Sequence, residues 1–296
     1  MKKYLPLALL CAAMFASCEA PVIEGEDSTV SSASADGKTK KFTFTLKGDF
    51  TSDWKPVTRG YLQADGKDLT DVWVLDYDDS GNLLQQLHQD DNTADDFGQP
   101  VMQLAYGSHH IYFIASRGTT PTLNTTDHTL SFAKVLDTFY KDYAVEVVST
   151  SNGNRAVTLD RVVTRLKLTF EDAIPSDAAL FNVVPATWYY GWNYVTGAPC
   201  AAASSQTVTV NIPSSSIGKT GENVNVYGFS STTEWTTDVT INSKTVGGTV
   251  LGSATIADVP FKANRVSEYS GPLFGSGGTM TMGLNATWDT ATTGTW

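Results

Sequence analysis

Three things are scarce in this 296-residue chain: cysteine, histidine and positive charge. The cysteines are Cys11, Cys18 and Cys200. The first two fall within or at the end of an N-terminal leader, so no disulfide framework can staple the folded part. The fold must therefore rest on its own apolar core, for which 41% hydrophobic residues suffice. The histidines are His88, His109, His110 and His128, without ligand spacing or paired cysteines, which argues against the common zinc sites. His109 and His110 are neighbours in a strand and point to opposite faces, so they cannot share one metal in the usual way. Lys and Arg number 20 against 31 Asp and Glu, a net charge of −11. No basic stripe is available to meet phosphates, so nucleic acid and anionic membrane surfaces are poor partners.

Catalytic motifs are missing as well. There is no Gly-x-Ser-x-Gly elbow. The stretch Gly218-Lys219-Thr220-Gly221 lacks the leading glycine and the spacing of a phosphate loop. The stretch Asp76-Tyr77-Asp78-Asp79-Ser80-Gly81 begins like a calcium loop, but Leu87 stands where the bidentate Glu is required. The sequence thus predicts no catalytic residue, no metal site and no cofactor.

What is present begins with an address. Met1-Lys2-Lys3, a short apolar run and Phe15-Ala16-Ser17-Cys18 read as a secretory signal peptide. Its apolar run is too short to span the roughly 30 Å of a bilayer core. Phe15-Ala16-Ser17-Cys18 resembles a lipobox, which makes Cys18 the candidate lipidation site over residues 1–18. Residues 19–40, rich in Ser, Ala, Gly, Asp and Glu, read as a flexible tether.

Residues 41–47, Lys-Phe-Thr-Phe-Thr-Leu-Lys, alternate polar and apolar as a half-buried strand does. A polar loop then carries the chain through Thr58-Arg59-Gly60 to the next strand near Leu69. A cut after Arg59 would let the first strand leave. Further along, residues 70–77 and 83–87 form a hairpin around Asp78-Asp79-Ser80-Gly81-Asn82. Residues 109–115 and 155–170 read as strands, with one short helix expected around Ala133-Lys134-Val135-Leu136. The second half offers strands at 181–184, 207–212, 224–229, 238–242, 250–256, 259–266 and 279–284. Short strands between Gly, Ser, Asn and Pro clusters predict an all-β protein with a sandwich in each half, residues 41–170 and 171–296.

The residues Trp188-Tyr189-Tyr190-Gly191-Trp192-Asn193-Tyr194 are the strongest local hint of a binding surface. Two readings stand side by side: alternate rings fill a core, or Trp188, Tyr190, Trp192 and Tyr194 form a recognition surface.

Several segments together resemble the fimbrillin superfamily of Bacteroidales, the lipoprotein precursors of type V pili. They are the lipobox ending at Cys18, Pro56-Val57-Thr58-Arg59-Gly60, residues 69–84, residues 154–170 with Arg165-Leu166-Lys167-Leu168, residues 259–266, and Tyr269-Ser270-Gly271-Pro272-Leu273-Phe274. The resemblance implies two transthyretin-like β-sandwich domains in tandem, and export to the outer membrane through lipid on Cys18. It also implies an Arg-specific protease cutting between Arg59 and Gly60, although Gly60 stands where Ala is commoner. The groove left by residues 41–47 would then accept a strand from another pilin subunit. Such a subunit would serve adhesion at the cell surface as shaft, tip or anchor. The alternative is a monomeric surface lipoprotein that binds glycans through residues 188–194.

Overall fold

The computed structural model describes residues 38–48, 69–118, 120–204 and 207–274. In chain order its first strands are β1 (Thr39–Lys47), β2 (Asp71–Tyr77), β3 (Leu83–Gln89), β4 (Val101–Ala105) and β5 (Gly107–Ser116). Then come β6 (Thr122–Asn124), β7 (Thr129–Ser131), β8 (Thr138–Val147), β9 (Asn154–Thr158) and β10 (Asp160–Arg161). The second set is β11 (Val163–Phe170), β12 (Leu180–Pro185), β13 (Thr187–Asn193), β14 (Ala198–Ser204) and β15 (Val208–Asn211). It ends with β16 (Glu222–Phe229), β17 (Trp235–Lys244), β18 (Val250–Phe261) and β19 (Arg265–Gly271). Among the described residues the chain is all-β apart from one 3-10 turn at Ser214–Ser216.

Two pairs of sheets make two sandwiches. The first pairs the order β4-β1-β9 with β10-β8-β5-β2-β3; the second pairs β16-β11-β19 with β15-β12-β17-β18. The orders correspond strand for strand except that the two-residue β10 has no counterpart in the second half. In each half the leading strand, β1 or β11, lies in the middle of a three-stranded sheet, antiparallel to one neighbour and parallel to the other, β9 or β19. In each half, too, the second strand lies between the third and fifth members of the set, so the same winding occurs twice. Alternation explains the packing. Phe42, Phe44 and Leu46 of β1 and Val72, Val74, Ile111 and Phe113 of the facing sheet enter one core. Leu166, Leu168 and Phe170 of β11 meet Phe181, Val183, Val239 and Ile241 in the other.

A third sheet, β14-β13-β7-β6, joins the halves. The β6–β7 hairpin is inserted between β5 and β8 of the first half, and the β13–β14 hairpin between β12 and β15 of the second. They pair through Gly191 to Ser131, Trp192 to Leu130 and Asn193 to Thr129. Their core takes in Leu75, Tyr77, Tyr112 and Ile114 from the outer face of the first sandwich.

Four sequence expectations meet a different outcome or none. Residues 133–136 form no helix but a bent connection in which Val135 is buried. Residues 250–256 and 259–261 belong to one strand, β18, which runs on through a left-handed Asp258 (φ 52°). The division at 170/171 does not follow the hydrogen bonds, because β11 is paired with β16 and β19 of the second sandwich. Periodicity shows which face of a strand is buried but not which sheet receives it. The expected strand at 279–284 lies outside the described residues.

Candidate functional site

β1 sits in its slot as a complete strand. Thr39 to Thr43 pair with Ala105 to Val101 of β4, and Thr43 to Lys47 pair with Asn154 to Thr158 of β9. Beyond Thr43 the β4 side is continued by loop carbonyls: Phe44 N–H donates to Pro100 O at 3.0 Å and Leu46 N–H to Gly98 O at 3.0 Å. Thr43 N–H donates to Gly153 O at 2.7 Å, and a Cβ on Gly153 would stand 2.4 Å from the Lys41 carbonyl oxygen. Phe44 meets the edge of Phe113 with ring centroids 5.0 Å apart. Phe42, Phe44 and Leu46 are buried completely or nearly so. Burial of three such side chains contributes together about 5–9 kcal/mol, which is comparable to the whole stability of an ordinary domain. The first sandwich therefore needs a strand in this slot. The expected processing residues Arg59 and Gly60, and the expected lipidation residue Cys18, lie outside the described residues.

The aromatic stretch 188–194 has a different role from the one proposed as a recognition surface. Trp188 is 1%, Trp192 3% and Tyr194 0% exposed, and Tyr190 alone of the four is half-buried. Trp188 lies in the second core, its ring 5.1 Å from Phe261, and its Nε1–H donates to Tyr227 O at 3.2 Å. It fits because residue 228 is glycine: a Cβ there would stand 2.4 Å from the indole. Trp192 and Tyr194 lie in the bridging core instead. The Tyr194 and Tyr77 hydroxyls are 2.8 Å apart, and Tyr140 Oη–H donates to the Tyr194 carbonyl at 2.6 Å. Burial, with the Tyr77 hydroxyl beside it, raises the Tyr194 phenol well above its ordinary range. Both faces of β13 meet apolar surface because the strand passes from one core to another. An exposed platform of these rings does not form, and the reading of a glycan binder built on them loses its basis.

Two polar clusters were not legible in the sequence. At the junction of the halves, Asp137 (4% exposed) accepts from Arg161 (7% exposed) through Nε at 2.8 Å and Nη2 at 3.2 Å. Arg161 Nη1 also donates to Asn264 Oδ1 at 2.9 Å, and its guanidinium stands 4.7 Å from the centre of the Phe139 ring. Arg117 Nε lies 3.7 Å from the same carboxylate. In the first sandwich, buried His109 contacts Asp76 Oδ1 through Nδ1 at 2.7 Å and donates from Nε2 to Ala105 O at 2.9 Å. Burial disfavours the charged imidazole, but the Asp76 carboxyl and the Ala105 carbonyl outweigh it and hold the His109 pKa above the usual value. This contact ties β5 and β2 to the end of β4, the neighbour of β1. Both clusters join residues far apart in sequence, so no local motif announces them. Among the described residues no group of His, Cys, Asp or Glu could hold a metal ion.

No protein-family model and no curated protein matches the chain. Solved structures do. A Bacteroides ovatus protein described as a proposed adhesin is 13% identical with a TM-score of 0.52, covering 90% of this chain and 97% of its own. A second proposed adhesin from Bacteroides ovatus is 13% identical with a TM-score of 0.51, over 77% and 87%. A Bacteroides thetaiotaomicron protein described as a proposed polysaccharide-binding protein is 8% identical with a TM-score of 0.52, over 78% and 91%. The likeness extends over nearly the whole of each and is one of fold.

Proposed function

We propose that the chain is the non-enzymatic precursor of a fimbrial subunit, exported as a lipoprotein to the outer membrane and assembled at the cell surface by strand exchange. The observation that carries this reading is the seating of β1. It supplies three buried side chains to the first core, yet it is joined to β2 by residues 48–70, in which Arg59 is the one arginine. Cleavage after Arg59 by an Arg-specific protease would free β1 from β2. Its departure would expose an apolar slot between β4 and β9 that a second subunit's strand can fill by backbone pairing, with side chains setting the register. The slot takes large apolar residues at alternate positions, as in Phe42-Thr43-Phe44-Thr45-Leu46. Residues 280–284, Met-Thr-Met-Gly-Leu, repeat that spacing and are the candidate donor. The fold shared with two proposed Bacteroides adhesins supports an adhesive role.

N-terminal sequencing and intact mass of protein recovered from the cell surface test this directly. A chain beginning at Gly60 within heat-labile multimers, absent in Arg59→Ala, supports the assignment. A monomer that begins at acylated Cys18 and never loses β1 overturns strand exchange.

A further inference from the structure

Two ends of the molecule carry apolar side chains that its own cores do not use. Among the described residues five large apolar side chains are exposed: Val101, Val148, Val195, Val246 and Val250. Three of these five stand at the two ends in question. Val246 and Val250 flank the tip of the β17–β18 hairpin. Thr245 N–H donates to Thr249 O at 2.9 Å and Gly248 N–H to Thr245 O at 3.0 Å, which closes the tip and leaves Val246 93% exposed. Turns of this kind favour Gly, Asn, Asp or Ser, so a β-branched apolar residue at the tip serves no need of the turn.

Beside this tip the chain leaves the second sandwich. Asp172 accepts from the backbone N–H of Leu273 at 2.9 Å and from that of Phe274. Leu273 is buried in the core, and the Phe274 ring stands 6.3 Å from Phe181. β18 passes so close that a Cβ on Gly252 would lie 2.3 Å from the Leu273 carbonyl oxygen. Val250 is two residues away, about 7 Å along the strand. The point of exit is thus pinned next to the exposed valines. Val148 stands at the other end. It follows Val147, which pairs with Gly107, and the adjacent Tyr106 N–H donates to Lys38 O at 3.1 Å, where β1 begins. Lys40 Nζ donates to Ser149 O at 2.7 Å. The turn of residues 148–153 therefore borders the N-terminal mouth of the β1 slot.

Chain length joins the two ends. A strand that takes the direction of β1, parallel to β9 and antiparallel to β4, meets the Gly98, Pro100 and Gly153 carbonyls that β1 now uses. With Met280, Met282 and Leu284 in the places of Phe42, Phe44 and Leu46, residue 277 takes the place of Thr39. Only Gly275 and Ser276 then separate Phe274 from the slot, and three Cα steps span at most about 11 Å. We propose that the β17–β18 hairpin tip of one subunit, through Val246 and Val250, docks on the turn of residues 148–153 at the slot mouth of a second copy of this chain. The contact rests on the strand-exchange reading with residues 280–284 as donor, and adds to it the surface on which the two bodies meet.

Crosslinking tests the contact on the full chain after treatment with an Arg-specific protease. Val246→Cys and Val148→Cys are made separately in a Cys200→Ser background, mixed, and treated with a short bismaleimide. The mixture should give crosslinked pairs that neither variant gives alone, because a head-to-tail contact joins two different patches. Val246→Ser should keep the melting temperature of the uncut chain while subunits leave the multimer about ten-fold faster, the scale of one valine returned to water. Val195→Ser, at an exposed valine away from both ends, should leave that rate unchanged. Multimers that form without the mixed crosslink, or that dissociate equally fast in Val195→Ser and Val246→Ser, overturn the hairpin contact and leave strand exchange standing. Absence of multimers from the unsubstituted chain overturns strand exchange, and this contact with it.

Discussion

β1 and β11 occupy the same place in two sheets of the same order, but they are held differently. β11 is paired along its whole length, from Val163 to Phe170 with β16 and from Thr164 to Phe170 with β19. β1 is staggered, meeting β4 with its first half and β9 with its second. The connections differ too. Residues 171–179 between β11 and β12 contain no Lys or Arg, and they are pinned by Ile174 N–H to Lys219 O at 3.1 Å and by Gly218 N–H to Ile174 O at 2.8 Å. Residues 48–70 between β1 and β2 are longer and carry Lys55, Arg59 and Lys67. One winding thus appears once with a leading strand staggered between its neighbours and once with a leading strand paired along its whole length. Under the proposed function, the half that keeps its strand would be the scaffold while the other exchanges.

Removing β1 breaks this comparison most severely. A chain starting at Gly60 should lose about 5–9 kcal/mol from the first sandwich alone. Calorimetry should then show the second sandwich melting by itself, and a peptide of residues 39–47 should restore the first transition. Equal loss in both halves would mean that the two are one cooperative unit. Next in size is the junction. Arg161→Leu leaves the Asp137 carboxylate buried without its bidentate partner, so urea unfolding should show a loss of about 3–5 kcal/mol. Gly153→Ala sharpens the comparison more gently. Its methyl presses on the Lys41 carbonyl, costing about 1–3 kcal/mol. In the native precursor it should speed exchange of the β1 amides while leaving those of β11 unchanged. Hydrogen exchange followed by mass spectrometry reads both.

The smallest effect distinguishes the halves by pH. All four histidines precede residue 129, and buried His109 has its pKa raised by Asp76 and Ala105 against the opposing effect of burial. A raised folded-state pKa gives stability that is fully present below the ordinary histidine value, about 6.5, and is lost as pH rises through the folded one. Asp76, raised by burial despite His109, acts in the same direction at lower pH. The first sandwich should therefore melt earlier as pH climbs from slightly acidic to slightly basic, relative to the second. His109→Gln should remove that slope.

Much of the fold could be read from alternation. The hairpin around Gly81, the burial of Phe42, Phe44 and Leu46, and the opposite faces of His109 and His110 all follow from a period of two. What alternation does not encode is the identity of the partner. β11 looks like a continuation of the first half and is hydrogen-bonded into the second. Trp188 and Trp192 resemble a surface cluster because no local pattern reveals that β13 crosses from one core to another. The bent stretch Ala133-Lys134-Val135-Leu136 reads as a helix from its residue types, yet Phe132 N–H donates to Tyr190 O at 3.2 Å and Val135 fills the bridging core. There tertiary burial outweighed propensity.

The bridging sheet also has a mechanical consequence. Each of its hairpins is rooted in a different sandwich, so separating the halves requires shearing the β7–β13 ladder and opening the core around Trp192 and Tyr194 together. A molecule built this way transmits tension as a stiff link. In the proposed assembly, a filament of such links would bend at the joints between subunits, where one strand crosses from body to body, and hardly at all within them.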